Sequence, residues 1–587
     1  MALVPHKITA LAESDAEGTD GKNIIAGAVV SLFDSSGAAV TLFDDESGSN
    51  GSTTKQTDAS GQVVVWVTAG EYEERVNDSA QRAITIGGRT VTSYANTVSL
   101  ENSRPTQTGQ RAENRERANA QYVLADSGYT AKPGDIVAAN GRVWALQSLN
   151  DPRFFGAKAD GTTLDTLAVE QCASRADYVT CDKNLTLLVG TVSILSGYKF
   201  KDIKFKLADN TNAECLSCER NAVGCEFIRV EVDGNRANNT GLCHGIRFNG
   251  STDCKVVGCN IYDTEGNGVS AFIGDTSNVN LEIRDNTIRY TDGDSIEVRG
   301  SDGLTIINNF CQSWDAGHNA IEFQEPHANV RVENNTFIDE RGNLFAIESA
   351  GASARVENFT LSGNVFAGDY IGISGLFFDG AIKGNVFKGG IGNWRSGIEL
   401  ASEDVIVEGN WIDNGSISIA SHGSTVPAYN ANNIQILNNF VRNKGTDSKA
   451  LYLGAAASAT GTPTCTNIKI SGNTFDFTET TGTGGRALLI GQYSLLSQID
   501  GVDITDNVIL GNGITASTRG VFIDSLPGSG KVTVKGNRIA GFANNVNLTD
   551  DNLSRFILRN NDLEEFINNA FLNASTTTVV TNQDNDV

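Results

Sequence analysis

The feature that most constrains this chain is a short motif, an apolar residue followed by two residues and an asparagine, that returns every 21 to 34 residues. One match would mean nothing, but an unbroken series indicates repeated structural units. The average spacing is about 27 residues. The twelve copies are Val257-x-x-Asn260, Ile283-x-x-Asn286, Ile306-x-x-Asn309, Val332-x-x-Asn335, Leu361-x-x-Asn364, Ile382-x-x-Asn385, Val407-x-x-Asn410, Ile436-x-x-Asn439, Ile470-x-x-Asn473, Ile504-x-x-Asn507, Val534-x-x-Asn537 and Leu558-x-x-Asn561.

Each interval also carries a second motif, a small residue followed by apolar, variable and apolar residues. Its period of two residues predicts a β-strand. A repeat of this length cannot bury its own apolar face, so the units are expected to stack as coils with the asparagines in a hydrogen-bonded ladder. Examples of the second motif are Gly245-Ile-Arg-Phe248, Ser295-Ile-Glu-Val298, Ala320-Ile-Glu-Phe323, Gly375-Leu-Phe-Phe378 and Gly397-Ile-Glu-Leu400.

These patterns predict an all-β chain whose main part is a parallel β-helix of about twelve coils. A leucine-rich repeat is excluded because its leucine spacing is missing, and a propeller would need longer units with four strands each.

The charge balance limits the partners of the chain. Its 587 residues contain 45 Lys plus Arg and 70 Asp plus Glu, which gives a net charge of −25. This acidity argues against nucleic acid and against an anionic membrane surface. No apolar run is long enough for a membrane span, and the residues from Met1 to Lys7 lack the apolar core of a signal peptide.

The chain has ten cysteines, and without a signal peptide they are expected to be reduced. The Cys215-x-x-Cys218 pair with Cys225 could suggest zinc, but neither a second pair nor histidines follow at ligand spacing. We therefore expect small buried thiols, no metal and no cofactor.

One segment carries a family resemblance. Residues 155–166, FGAKADGTTLDT, are similar to the entry signature of pectate-lyase-like right-handed β-helices, usually written FGAxxDGxTDDT, with Leu164 replacing a common aspartate. The resemblance covers residues 151–565 and implies an asparagine ladder between the second and third strands of each coil. A short helix over 164–176, with Leu164, Leu167, Ala168 and Cys172 on one face, would plug the first coil.

The remaining segments resemble the layout of a bacteriophage tailspike. Residues 1–100 alternate and turn like a small β-sandwich, as in virion-attachment modules. Residues 101–150 are expected to form a neck, helical near 109–121, and residues 566–587 a cap or tip. The resemblance implies a homotrimer on the virion tail, made in the bacterial cytoplasm and bound to phage tail or baseplate proteins. A bacterial cell-surface β-helix protein is the alternative.

The outer face of the first strand of each coil carries the substrate cleft in this family. Because Ile296 and Val298 must point inward, Glu297 is expected to point outward. The same reasoning places Glu322 and Glu348 in register on the next two coils. Stacked carboxylates about 4.8 Å apart should raise at least one pKa, as a general acid requires. We therefore predict Glu297, Glu322 and Glu348 as catalytic residues, with retaining and inverting geometry both open.

Further side chains are expected to bind substrate around this carboxylate column. The same alternation places Phe377, Glu399 and Tyr452 outward on later coils. Asp379 is expected to match the place of Arg299 and Gln324, two residues beyond the outward position on the same face. The aromatic residues would stack on sugar rings. The predicted binding residues are Arg299, Gln324, His318, Phe377, Asp379, Trp394, Glu399 and Tyr452.

The resemblance and the acidic column together indicate a tailspike that binds and depolymerises a capsule or O-antigen polysaccharide, as an endo-glycosidase acting by hydrolysis. A polysaccharide lyase of the same fold would need a base, for which Arg299 and His318 are candidates. A glycan-binding adhesin without catalytic activity is the third interpretation.

Overall fold

The structure is a computed structural model, and the chain divides into two compact units, Met1–Ser148 and Leu149–Val587. The described residues are 3–9, 11–12, 23–24, 29–33, 39–44, 50–56, 62–68, 70–76, 79–86, 91–105, 109–312, 314, 317–340, 345–349, 354–368, 371–389, 397–421, 430–444, 449–455, 464–480, 485–491, 498–513, 518–524, 530–549, 555–564, 569–573 and 580–583.

The second unit is a parallel β-helix in which each strand pairs with its equivalent one coil later. Three parallel sheets run along it, called here the first, second and third sheets. The strands of the first sheet are Val192–Ile194, Leu216–Cys218, Ile246–Asn249, Val269–Phe272, the start of Ile296–Ile307, the start of Ile321–Glu333, Phe345–Ser349, Ile371–Gly375, Ile398–Leu400, Ile417–Ser421, Lys449–Ala455, Arg486–Ile490, Arg519–Ile523, Asn544–Leu548 and Asn569–Asn573.

The second sheet precedes the ladder asparagines and the third sheet follows them. The strands of the second sheet are the starts of Lys199–Leu207 and Glu226–Asp233, then Lys255–Val257, Asn278–Val279, Glu282–Arg284, the ends of Ile296–Ile307 and Ile321–Glu333, Val356–Ser362, Phe377–Lys383, Glu403–Glu408, Ala431–Asn432, Gln435–Leu437, Thr464–Ser471, Gln498–Thr505, Lys531–Lys535, Arg555–Arg559 and Val580–Gln583. The strands of the third sheet are Asp160–Leu164, Thr186–Val189, the ends of Lys199–Leu207 and Glu226–Asp233, then Asn260–Thr264, Thr287–Thr291, Phe310–Gln312, Thr336–Ile338, Val365–Gly368, Val386–Gly389, Trp411–Asp413, Phe440–Arg442, Thr474–Asp476, Val508–Leu510, Arg538–Ala540 and Asp562–Glu564.

The predicted fold class is confirmed. The first sheet has fifteen strands in the described part of the chain, more than the twelve coils predicted, because the first coils precede the asparagine repeat. Strands Asn569–Asn573 and Val580–Gln583 continue the winding, so the β-helix extends past the predicted end at residue 565.

A buried asparagine ladder joins the coils between the second and third sheets. From Asn286 to Asn537, each Nδ2 donates to the Oδ1 of the next asparagine at 2.9–3.0 Å and to a carbonyl of the preceding coil at 2.8–3.0 Å. At the end of the ladder, Asn561 Nδ2 donates to the Val534 carbonyl at 2.9 Å. Each Oδ1 also accepts a backbone N–H. The amide groups inside the ladder are thereby satisfied although they are out of contact with water. Its members are Asn286, Asn309, Asn335, Asn364, Asn385, Asn410, Asn439, Asn473, Asn507, Asn537 and Asn561.

The prediction of Asn260 as the first ladder residue was wrong, because Asn260 lies one position beyond the ladder. Asn260 pairs with Thr287 instead, and it is the backbone N–H of Cys259 that donates to Asn286 Oδ1 at 2.8 Å. The Cys259 thiol lies 3.4 Å from the Phe227 carbonyl. A buried cysteine therefore takes the position before the first asparagine.

The residue before each ladder asparagine has a left-handed backbone, with φ between +52° and +71°. Glycine, asparagine and aspartate adopt this conformation most readily, which explains the residue types found there. The positions are Asp285, Asn308, Asn334, Gly363, Gly384, Gly409, Asn438, Gly472, Asp506, Gly536 and Asn560.

The interior of the β-helix is filled by apolar side chains and thiols. Phe337, Phe366 and Phe387 stack on successive coils with centroid separations of 5.2 and 4.5 Å. All ten cysteines are free and buried, as the sequence predicts for small core residues.

The predicted entry helix is present as Thr166–Ala173, after a 3₁₀ turn at Pro152–Phe155. Its buried face differs from the predicted one. Ala168, Val169, Cys172 and Ala173 are buried, whereas Leu167 is 67% exposed and Leu164 lies outside the helix. A second 3₁₀ turn spans Arg236–Asn238.

The first unit is made of small sheets. Its strands are Leu3–Thr9, Leu11–Ala12, Asn23–Ile24, Val29–Phe33, Lys55–Gln56, Gln62–Thr68, Gly70–Val76, Ser79–Ile86, Val91–Tyr94, Arg111–Asn114, Ala120–Leu124, Ile136–Val137 and Val143–Leu146, with one helix at Thr97–Glu101. The helix predicted near 109–121 is wrong, because Arg111–Asn114 and Ala120–Leu124 form an antiparallel pair there. The sandwich-like, virion-attachment and neck assignments stay predictions.

Candidate functional site

The predicted outward column of the first sheet forms with the carboxylates in register. Glu297 pairs with Glu322, and Glu322 pairs with Glu348. Adjacent strands lie about 4.8 Å apart, so three carboxylates occupy successive steps along the β-helix axis. Between Arg247 and Phe522 the column runs Arg247, Ser270, Glu297, Glu322, Glu348, Ser374, Glu399, Ser418, Tyr452, Leu489 and Phe522.

Two predicted binding residues lie elsewhere. Phe377 belongs to the second sheet and is fully buried, 5.2 Å from the Phe359 ring centroid, so it cannot stack on a sugar. Ser374 occupies its predicted place. Asp379 lies in the same second-sheet strand, exposed with φ +55°, and does not join Arg299 and Gln324 on the first sheet. Both predictions of position were wrong.

Glu297 is in the column but is almost entirely buried, with 4% of its surface exposed. Its Oε1 accepts from Arg299 Nε at 2.6 Å and its Oε2 accepts from Asn267 Nδ2 at 2.5 Å. Burial raises the pKa of Glu297, while the hydrogen bond and charge of Arg299 oppose that rise. Such an enclosed, ion-paired carboxylate has little access to a glycan.

Glu322 has the most perturbed carboxyl group of the column. Burial, and then the neighbouring carboxyl group of Asp294, raise the pKa of Glu322 to about 8. Gln324 Nε2 donates to Glu322 Oε1 at 2.8 Å, and this opposes the rise. Glu322 is partly exposed, so at neutral pH it offers a protonated carboxyl group at the surface.

Asp294 is held by a second polar column in the turns that lead into the first sheet. The backbone N–H of Asn267 donates to His244 Nδ1, that of Asp294 to Asn267 Oδ1, and that of Asn319 to Asp294 Oδ1, at 3.0, 2.9 and 2.6 Å. All four side chains are 95% or more buried. These four residues are called here the turn column. Two of them, Asn267 and Asn319, hold the carboxylates of the first sheet by hydrogen bonds.

Asn267 and Asn319 were not among the predicted site residues. Asn267 contacts Glu297, and Asn319 Nδ2 donates to Glu348 Oε2 at 3.0 Å. A polar residue, a small residue and Ile or Val recur as His244-Gly-Ile, Asn267-Gly-Val, Asp294-Ser-Ile and Asn319-Ala-Ile. This recurring motif in the sequence could have identified Asn267 and Asn319 as site residues.

The remaining predicted residues are distributed around the column. Glu348 is partly exposed, and Glu399 and Tyr452 occupy the predicted outward positions two and four steps further on. The side chain of His318 is 43% exposed, with Nδ1 3.6 Å from Asp294 Oδ1. Trp394 lies outside the described residues.

An aromatic ring separates two arginines at one end of the site. The guanidinium carbons of Arg247 and Arg299 lie 4.6 and 4.2 Å from the Phe272 ring centroid. Cation–π contact and the ion pairs with Glu214 and Glu297 hold both arginines in place.

The described residues contain no group of three or more His, Cys, Asp or Glu side chains arranged to hold a metal ion. The described site thus consists of a protonated carboxyl group, an adjacent accessible carboxyl group and a hydrogen-bonded support. Proton donation to an oxygen leaving group is the chemistry that such a pair supports directly.

Asp294→Asn should weaken the pH dependence of folding stability that Glu322 causes. A carboxyl group whose pKa in the folded protein, about 8, exceeds its ordinary pKa of 4.5 in the unfolded chain gives stability that is present below pH 4.5 and lost as pH rises through 8. Removing the Asp294 charge should lower the pKa of Glu322 and make that decline shallower. Unfolding midpoints between pH 4 and pH 9 measure it.

The control for this experiment is Asp404→Asn, an exposed aspartate of the second sheet whose left-handed backbone asparagine tolerates. Its pH profile should match that of the wild type. Equal slopes in all three proteins would show that Asp294 does not influence Glu322.

The family model described as the right handed beta helix region matches residues 215–375 and 271–475. Together with the parallel sheets and the ladder, this identifies the second unit as a right-handed parallel β-helix. No curated protein matches the sequence. Within the described ranges, no helix is both long enough and apolar enough to cross a bilayer.

Three solved structures illustrate the likeness. The A-module of mannuronan C-5 epimerase AlgE6 from Azotobacter vinelandii has 12% identity and a TM-score of 0.35, over 75% of this chain and 99% of that one. The tailspike protein of Acinetobacter baumannii phage AM24 has 14% identity and a TM-score of 0.34, over 68% of this chain and 64% of that one. The N-terminal fragment of bacteriophage Phi29 gene product 12 has 12% identity and a TM-score of 0.39, over 74% of this chain and 92% of that one. Such distant likenesses do not define the reaction.

Proposed function

We propose that this protein binds and depolymerises a bacterial surface polysaccharide by hydrolysing glycosidic bonds, with Glu322 as the general acid. The observation that carries this is the partly exposed Glu322 beside buried Asp294, with its pKa raised to about 8. A glycosidase needs a carboxyl group that is still protonated at neutral pH to donate to the leaving oxygen.

The second catalytic group is Glu348. It is partly exposed, follows Glu322 by one strand, and is oriented by Asn319 Nδ2. The strand spacing of about 4.8 Å supports a retaining mechanism, in which the carboxyl groups lie about 5 to 5.5 Å apart and the second one attacks the sugar. Glu297, being buried and paired with Arg299, positions its neighbours instead of contacting the reacting atoms.

The biological setting is proposed from two resemblances in the sequence. Residues 155–166 resemble the entry signature of pectate-lyase-like β-helices, and the order of segments resembles that of a phage tailspike. The substrate would then be a capsule or O-antigen and the protein a homotrimer on the virion tail. The first unit would attach it to tail or baseplate proteins.

A polysaccharide lyase is the second candidate, and His318 favours it. This half-exposed imidazole lies beside the Asp294 carboxylate, where it could remove a proton from a uronate ring. Arg299 is less suited because it is already bonded to Glu297.

Product analysis tests the proposal. The full chain is incubated with capsule and O-antigen preparations while reducing ends and absorbance near 235 nm are followed. Reducing ends without absorbance, and an initial product with the anomeric configuration of the substrate, are expected. Absorbance would show elimination, inversion would reject Glu348 as nucleophile, and binding without either signal would make the protein an adhesin.

A further inference from the structure

Three basic residues lie in register at the start of the first-sheet strands near the C-terminal end of the β-helix. Lys449 pairs with Arg486, and Arg486 pairs with Arg519. In a chain of net charge −25, three successive coils thus present a cation at one position. We call these three residues the basic column.

Aromatic rings of the outward column support the basic column. Lys449 Nζ lies 4.6 Å from the Tyr452 ring centroid, and the guanidinium carbons of Arg486 and Arg519 lie 5.1 and 4.2 Å from that of Phe522. The cations therefore lie on the same side of the sheet as the rings, and all three are partly exposed. Cation–π contact holds them without neutralising their charge.

Arg519 is the least compensated of the three. Its Nε is buried without a hydrogen-bond partner, and it has no ion pair within the described part of the chain. Burial, and then the charge of Arg486, lower the pKa of Arg519, while Asp524 opposes this. Asp524 itself accepts a hydrogen bond from Thr549 Oγ1 at 2.8 Å.

Like charges directly opposed on neighbouring strands destabilise a sheet. Arg486 and Arg519 are such a pair, about 4.8 Å apart along the axis. We propose that the basic column is a binding site for an anionic group, a carboxylate or phosphate, carried by the glycan that this protein binds. Arginine suits such groups because its planar fork donates two hydrogen bonds at once.

The position of the basic column explains why the anion would belong to a glycan chain. It lies on the sheet that carries Glu322 and Glu348, and its middle residue, Arg486, is on the strand five steps beyond that of Glu348, which corresponds to about 24 Å. A linear polymer lying along the sheet would reach both sites. This inference rests on the proposed function only for the nature of the ligand.

Binding is measured by calorimetry with full-length Glu322→Gln protein, so that cleavage does not interfere. The probes are polygalacturonate for carboxylate, phosphomannan for phosphate, and dextran as the neutral polymer. At least one anionic probe should bind, more weakly as salt rises, and dextran should not. Arg519→Gln and Arg486→Gln should each weaken binding about tenfold, as expected for a lost charged hydrogen bond.

The matched control is Arg538→Gln, an exposed arginine of the third sheet paired with Glu564. It should bind like the parent protein. Arg519→Gln should unfold at the same or a higher temperature, because it relieves repulsion, which separates lost binding from lost folding. The proposal would be overturned if Arg519→Gln bound the polyanion as tightly as the parent protein, or if Arg538→Gln lost as much affinity as Arg519→Gln. It would also be overturned if neither polyanion bound. If the wild-type protein cleaved no glycan but the polyanion still bound through Arg519, the proposed hydrolysis would be wrong and this inference would stand.

Discussion

Replacing Glu322 with glutamine should lower the rate of glycan cleavage about 100- to 10,000-fold, the usual contribution of a general acid. Glutamine keeps the size and the hydrogen bond to Gln324 but cannot release a proton to the leaving oxygen. Reducing-end release measures the rate, and affinity for an uncleaved oligosaccharide should stay close to that of the wild type.

The wild-type rate should also fall as pH rises through about 8, because Glu322 then loses the proton that it must donate. Glu408→Gln is the matched control, a glutamate of the second sheet whose Oε2 lies 3.3 Å from Lys383 Nζ. It should cleave at the wild-type rate. Undiminished cleavage by Glu322→Gln would remove Glu322 from the mechanism.

Replacing Asn385 with leucine should destabilise the β-helix by at least about 2 kcal/mol, because each buried polar group left unpaired costs about 1–3 kcal/mol. The substitution removes the bonds that Asn385 makes to the Leu361 carbonyl, to Asn410 Oδ1 and to the backbone and side-chain N–H groups of Asn364. Asn364 Nδ2 keeps its bond to the Val332 carbonyl and Asn410 Oδ1 keeps the backbone N–H of residue 385, so two of the four groups lose this partner without a second one to replace it. A lower unfolding temperature, followed by circular dichroism, is the expected result.

Asn358→Gly provides the comparison. Asn358 is an exposed asparagine of the second sheet with φ +49°, a conformation that glycine keeps. Its loss should change stability by no more than about 0.5 kcal/mol. Similar small effects of both substitutions would mean that the ladder contributes little to stability.

The coil architecture could be predicted from the sequence because eleven of the twelve asparagines occupy one environment that tolerates few other residues. The failure at Asn260 has a local cause. Cys259 precedes it, and a small thiol fits the buried position, so the strand begins one residue earlier than the motif suggests. A pattern of spacing cannot distinguish two adjacent polar positions when only one is buried.

The carboxylate register of Glu297, Glu322 and Glu348 could also be predicted, because alternation fixes which side chains share a face. The position of Phe377 could not. One residue separates the first-sheet strand Ile371–Gly375 from the second-sheet strand Phe377–Lys383, and apolar residues recur in both. The segment Gly375-Leu-Phe-Phe378, which spans the junction, therefore has the pattern of a first-sheet strand. The different accessibility of Glu297 and Glu322 depends on Asn267 and Arg299, whose contacts alternation does not specify.

The ladder spacing has a consequence for how such a protein can change its ligand. Asn364 and Asn385 are 21 residues apart and Asn439 and Asn473 are 34 apart, yet the hydrogen bonds between their side-chain amides are 3.0 and 2.9 Å long. The segments between rungs can therefore lengthen or shorten while the stacked frame stays the same. Grafting loops from one coil to another, with the asparagine and its left-handed predecessor retained, is a route to new glycan specificities without redesigning the core.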